Sequence, residues 1–189
     1  ISFNTQHCCN YNAKKILAVG RIEEAKGFDY LIDAFNLIAD KYNDWKLQII
    51  GDGSQKQILN KKIREYGLQD RIKIKPFTQN IKQEYLQASI YALSSRVEGL
   101  PLVLLEAMEC GLPIVSFDIE PALAVLKDGK DSLIARSFNV QEFANNLEML
   151  IQDERKREDY GKKAKKNVQE YKIDNMLLKW DKLFKNIIK

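Results

Sequence analysis

Short apolar runs alternate with longer helical patterns along most of this chain, and that alternation admits few folds. Residues 15–20 (KILAVG) read as a buried strand. Over 28–42 the apolar residues Phe28, Leu31, Ile32, Phe35, Ile38 and Ala39 fall at helical spacing. Residues 45–51 (WKLQIIG) give a second strand, and 55–66 a polar-faced helix that stops at Gly67. The pattern continues with a strand over 71–75, a short helix over 81–88 and a strand over 90–94. An apolar helix over 102–110 is ended by Gly111, and strands follow over 113–117 and 132–135. After Asn139 the texture changes: 140–151, 154–171 and 174–188 all read as helices. Strands separated by helices pair in parallel, because parallel neighbours need a crossover. The expected fold is α/β, a three-layer sandwich with a parallel sheet of about six strands and a helical C-terminal segment.

Composition narrows the class further. The 189 residues are 45% hydrophobic and 30% charged, the balance of a globular domain with a real core. No apolar run is long enough to span a bilayer. The opening Ile1-Ser2-Phe3-Asn4 lacks both the basic start and the apolar core of a signal peptide, and it lacks a methionine. That reads as a fragment or a trimmed chain. With 30 basic and 26 acidic residues the net charge is +4, a mixed solvated surface rather than a nucleic-acid footprint. Cys8, Cys9 and Cys110 make no disulfide framework, and Cys110 reads as a small core residue. The single histidine, His7, has no second ligand pair, so no metal site is expected. The basic run Arg155, Lys156, Arg157, Lys162, Lys163, Lys165 and Lys166 reads as a solvated helix face, with the surface of an anionic membrane as the alternative.

In a parallel sheet a ligand sits at the carboxyl ends of the strands, so the chemistry belongs to the loops 20–27, 51–54, 76–80, 94–101 and 118–121. In the first, Gly20 is expected to turn the backbone tightly off the strand. Arg21 and Lys26 flank a helix start, which is either a seat for a diphosphate or two solvated charges beside Glu23 and Glu24. The Gly51-Asp52-Gly53-Ser54 loop lacks the last glycine of a dinucleotide fingerprint, because Lys56 stands there, and reads instead as a tight turn allowing close approach. The fourth loop enters the helix LVLLEAMEC through Glu98-Gly99-Leu100-Pro101, whose amides would point at an anion. Glu106 interrupts an otherwise apolar stretch. It either grips adjacent hydroxyls of a sugar or salt-bridges a lysine, while Glu98 either serves a second set of hydroxyls or is solvated.

Taken together, these segments resemble a known family. EGLPLVLLE followed by AMECGLPIV looks like the E-x7-E signature of retaining glycosyltransferases of GT-B fold, family 4, with Glu98 and Glu106 as its glutamates. VGRIEEAKGFDYLIDAF and IIGDGSQKQIL are similar to two further family segments, in the right order. The resemblance runs from about Lys15 to the last helix. It implies a Rossmann-like domain, with 1–14 the remnant of an interdomain linker, 15–172 the nucleotide-sugar-binding domain and 173–189 a crossover helix. It further implies that Arg21 and Lys26 hold the donor diphosphate, that Glu98 contacts the donor sugar and that Glu106 holds the ribose. Amides around Gly99, Leu100, Pro101 and Leu104 would approach sugar and phosphates, Pro76-Phe77 would seat the base, and Gly20, Gly51 and Gly53 would keep the cleft floor low. One stretch departs: Ala124 stands where the family often has a glutamate, and Ser132 replaces a glycine.

The implied chemistry is metal-independent transfer, with retention, from a nucleotide-diphosphate sugar, UDP-sugar favoured over GDP-sugar. The acceptor, a glycan or a lipid-linked glycan, would be bound by a missing N-terminal domain. The setting would be surface polysaccharide or glycolipid synthesis in a bacterial cytoplasm, at the inner face of the membrane. This chain alone would bind donor and turn over little. The alternative is a non-catalytic nucleotide-sugar-binding or interaction module.

Overall fold

The computed structural model describes residues 8–187; His7 and the rest of residues 1–7, and residues 188–189, lie outside the described residues. Six strands form one sheet: β1 (Lys15–Val19), β2 (Lys46–Ile50), β3 (Ile72–Lys75), β4 (Ile90–Leu93), β5 (Ile114–Phe117) and β6 (Ser132–Ala135). Their order is β3-β2-β1-β4-β5-β6, and every pair is parallel. β1 lies at the centre, with Leu17 facing Gln48 on one side and Tyr91 on the other. Helix layers on both faces explain the composition: β4 and β5 are buried at every residue, whereas edge strand β3 (IKIK) alternates.

The helices are α1 (Phe28–Ala39), α2 (Lys56–Glu65), α3 (Ile81–Leu86), α4 (Leu102–Glu109), α5 (Glu120–Leu123), α6 (Val140–Gln152), α7 (Glu154–Asn167) and α8 (Ile173–Ile187). α1 packs between α2 and α6, while α4 packs against α3 and α7, giving the three-layer Rossmann-like sandwich. α6 and α7 start on side-chain caps, Asn139 accepting from Glu142 N–H and Asp153 from Lys156 N–H, each at 3.0 Å. α7 reaches the turn after α4 so closely that a Cβ on Gly161 would lie 2.1 Å from the Gly111 carbonyl oxygen.

Several sequence expectations need correction. α1 ends at Ala39, short of Tyr42. The four-residue α5 falls where only a loop was expected, since one turn is too short to show a period. The helix expected over 154–171 is α up to Asn167 and tightens to a 3-10 turn over Val168–Tyr171. Arg157 is not part of a solvated face. It is 5% exposed, and its guanidinium donates to the carbonyls of Tyr11 (2.9 Å), Leu150 (2.7 Å) and Ile151 (3.0 Å), closing the C-terminus of α6. Cys110 is buried in the core as expected, and burial pushes its thiol pKa up to about 12. Residues 8–14 pack on the same domain: Cys9 N–H donates to Cys110 O at 2.8 Å, and Tyr11 hydroxyl to Gly111 O at 3.0 Å.

Candidate functional site

Strand order reverses direction between β1 and β4. The chain leaves β1 toward β2 on one side and leaves β4 toward β5 on the other, so the loops at their carboxyl ends diverge and open a crevice. Loops 20–27 and 94–101 are its two lips. Backbone contacts fix their spacing. Arg96 N–H donates to Ala25 O at 2.8 Å, and Ser94 hydroxyl to Lys26 O at 3.1 Å. Gly27 has φ 58°, and a Cβ there would lie 2.0 Å from Ser94 O, so only glycine fits between the lips.

The second loop closes on the first. A Cβ on Gly51 would lie 1.9 Å from Gly20 O, and one on Gly53 2.4 Å from Ile22 O. Glu23 accepts from Ser54 N–H (3.1 Å) and Ser54 hydroxyl (2.6 Å), bonds that hold its carboxyl below the usual carboxylate range. Asp52 takes Lys56 at 2.6 Å and Phe77 N–H at 3.3 Å, which ties exposed Pro76 and Phe77 to the same rim. The backbone bends at Gly20 as expected, but without needing glycine. Its φ is not positive, and a Cβ would meet nothing closer than 3.6 Å. Gly99 likewise has no positive φ and nothing within 4 Å of a Cβ.

The charges meet in the crevice. Lys26 Nζ donates to both oxygens of Glu98, at 2.7 and 2.8 Å, and Ser95 hydroxyl donates to Glu98 Oε1 at 2.6 Å. The Glu98 side chain is 6% exposed and that of Lys26 21%, so Glu98 is a packed, paired carboxylate rather than a solvated one. Tyr91, buried beneath, has its hydroxyl pKa raised by burial first and by the Glu98 charge second. Arg21 is exposed, and among the described residues its side chain has no hydrogen bond or ion pair.

Arg96, which sequence reading passed over, braces the lips. It forms a two-pronged pair with Asp29 in the first turn of α1 (2.7 and 2.6 Å), donates to Glu24 O at 2.7 Å and lies 4.0 Å over the Tyr30 ring. Burial works most strongly against the Asp29 charge, but the bonds and charge of Arg96, a backbone N–H and the Lys62 charge together outweigh it and hold that carboxyl below its usual range. In sequence Arg96 is one more exposed-looking cation, since nothing local signals a partner 67 positions away.

α4 supplies the remaining groups. Half-buried Glu106 accepts from Tyr85 hydroxyl at 3.1 Å. Tyr85 is fully buried; burial first, then neighbouring Tyr91 and Glu106, raise its pKa well above the ordinary value. Pro101 and Leu104 are buried, and Leu104 N–H donates to Pro101 O at 2.9 Å. Among the described residues the N–H groups of Gly99, Leu100 and Val103 have no backbone partner and stand at the entrance of α4. At the carboxyl ends of β1 and β4 the paired Lys26 and Glu98 thus lie next to open amides, groups of the kind that receive anions and hydroxyls.

Comparison with known proteins places this arrangement. The family model described as "Glycosyl transferases group 1" matches residues 6–167. The amylovoran biosynthesis glycosyltransferase AmsD of Erwinia amylovora is 33% identical over 168 residues, covering 88% of this chain and 47% of that protein. The crystal structure of a point mutant of TarM from S. aureus, in complex with Fondaparinux, alpha-GlcNAc-glycerol and UDP, superposes with a TM-score of 0.88 at 26% identity, over 97% of this chain and 37% of that one. The C-terminal domain of a group 1 glycosyl transferase (LpcC) from Francisella tularensis gives 0.79 at 26% identity, over 89% of each chain. The chain spans about half the length of the curated relatives it matches. A parallel sheet in the order 3-2-1-4-5-6, a charged crevice at its switch point and a family model covering most of the length agree: the chain belongs to the group 1 glycosyltransferases, of GT-B type.

Proposed function

We propose that this chain is the C-terminal, donor-binding half of a retaining family 4 glycosyltransferase that uses a nucleotide-diphosphate sugar. The observation that carries the reading is the Lys26–Glu98 pair at the switch point, beside the open amides of α4. Arg21, Lys26 and those amides would stabilise the charge that builds on the leaving diphosphate, the work a metal does in other transferases. Glu98 would hold sugar hydroxyls and Glu106 the ribose, each positioning the donor. Gly99 supports close approach of a ligand, because neither packing nor backbone conformation of this chain calls for glycine there. UDP is the favoured nucleotide, the ligand named in the TarM complex. The acceptor, a glycan or lipid-linked glycan of bacterial surface polysaccharide or glycolipid synthesis, belongs to the half of the relatives that this chain does not span, in keeping with the relative named for amylovoran biosynthesis. The setting proposed is the cytoplasm at the inner face of the membrane, with no metal required.

A thermal-shift series with UDP, GDP, ADP and their sugars tests the reading. At a hundred times Kd a ligand of the folded state adds about 2.7 kcal/mol, a rise of roughly 5–10 °C for a domain of this size. One nucleotide family should raise Tm, and Glu106→Ala should abolish the rise. No rise with any nucleotide at millimolar concentration contradicts the proposal.

A further inference from the structure

We infer that Glu98 is an internal competitor for the diphosphate seat: it occupies Lys26 while the cleft is empty, yields it to an incoming donor, and takes it back to expel the nucleoside diphosphate once the sugar has left. This rests on the donor-binding reading above and adds a direction to it.

The geometry sets two carboxylate oxygens on one ammonium at 2.7 and 2.8 Å, which occupies the Lys26 head as a phosphate would. A phosphate oxygen must either take the one N–H that is left, sharing the ammonium with the carboxylate, or displace a Glu98 oxygen. Displacement is costly when nothing else receives Glu98. Its side chain is 6% exposed, so little water reaches it in place, and Ser95 hydroxyl supplies a single bond to one oxygen. The buried Tyr91 hydroxyl is near enough to feel the Glu98 charge. An intact donor brings both halves of the exchange: phosphates for Lys26 and sugar hydroxyls for the released carboxylate. A nucleoside diphosphate without its sugar brings only the first. It must either leave Glu98 without a counter-charge or share Lys26 with it, two anions on one cation. The same residue that favours the donor therefore disfavours the product. Arg21, exposed and without a side-chain partner among the described residues, stays available to the diphosphate in both states.

Glu98→Gln separates this from simple positioning, because the amide keeps the shape and loses the charge. UDP, and inorganic pyrophosphate as a probe that needs no base, are titrated by calorimetry into the wild-type chain, Glu98→Gln and Lys26→Ala. Glu98→Gln is expected to bind both probes at least three-fold more tightly than wild type, with a slower off-rate for UDP in stopped flow. Lys26→Ala is expected to lose most binding of both probes. Glu98→Gln binding that is equal to or weaker than wild type overturns the inference and leaves the donor site standing, since Glu98 would then only hold Lys26 in place. Absence of binding by all three proteins overturns the donor-binding reading and the inference together. Circular dichroism and a sharp thermal transition confirm that each variant is folded before titration.

Discussion

Arg96→Ala puts a number on how the cleft is braced. Removing the side chain deletes two charge-assisted bonds to Asp29 and one to Glu24 O, and uncovers the Tyr30 ring. Hydrogen bonds to charged groups contribute about 1.5–3 kcal/mol when made. A cation over an aromatic ring adds roughly 0.5–1 kcal/mol. The side chains are 23% and 34% exposed, so solvent screening pulls the sum toward its lower end, to about 2 kcal/mol. For a chain of this length that is a fall in Tm of roughly 4–8 °C. The pH dependence carries a sign. Asp29's carboxyl is held below its ordinary value of 3.8, so its stabilisation is full above the unfolded-state pKa and is lost as pH falls through the folded-state value. The gap between wild type and Arg96→Ala should therefore be constant from neutrality to about pH 5 and narrow below about pH 4, toward what the Glu24 carbonyl bond and the Tyr30 ring contribute. Arg96→Lys, which keeps charge without the planar fork, should recover part of it. Urea denaturation across pH gives the measurement. A loss below about 0.5 kcal/mol at pH 7, or a gap as wide at pH 3 as at pH 7, refutes the reasoning, since exposed pairs often contribute that little.

Three further outcomes are expected. Gly161→Ala would normally gain about 1 kcal/mol in a helix, but its Cβ would sit 2.1 Å from Gly111 O, so a net loss of about 1–2 kcal/mol is expected in the urea midpoint. Gly99→Ala meets nothing within 4 Å and should leave stability unchanged to within about 0.5 kcal/mol while weakening UDP-sugar binding in calorimetry. Tyr85→Phe removes the donor to Glu106 Oε2 and should cost about 1 kcal/mol of stability and weaken UDP binding, with one bond on Glu106 lost.

Strand and helix positions were legible because buried and edge strands leave different marks: IYAL runs apolar through β4 and IVSF is apolar but for Ser116 in β5, while IKIK alternates along β3. The location of the site followed from the topology those patterns imply. What stayed hidden was pairing. Lys26 and Glu98 were each visible as candidates, but their contact spans 72 positions and depends on Gly27 fitting under Ser94 O, which no local pattern encodes. The same holds for Arg157, read with its lysine neighbours as solvent-facing although α6 ends against it, and for Arg96 with Asp29. Short elements such as α5 were lost for a different reason, since four residues do not complete a helical period. The helix read over 174–188 is α8, where the apolar side chains of Leu177, Trp180 and Phe184 are about half exposed.

The central claim is that a nucleotide binds at the switch point of the sheet, between the β1 and β4 loops. Chemical-shift mapping of the 15N-labelled chain during titration with UDP addresses it directly. The account predicts perturbations gathered in residues 20–27, 51–54, 76–80 and 94–104, at the carboxyl ends of the strands. Perturbations centred instead on the opposite edge, around the turn at residues 127–131 and the lysines of α7, would contradict it.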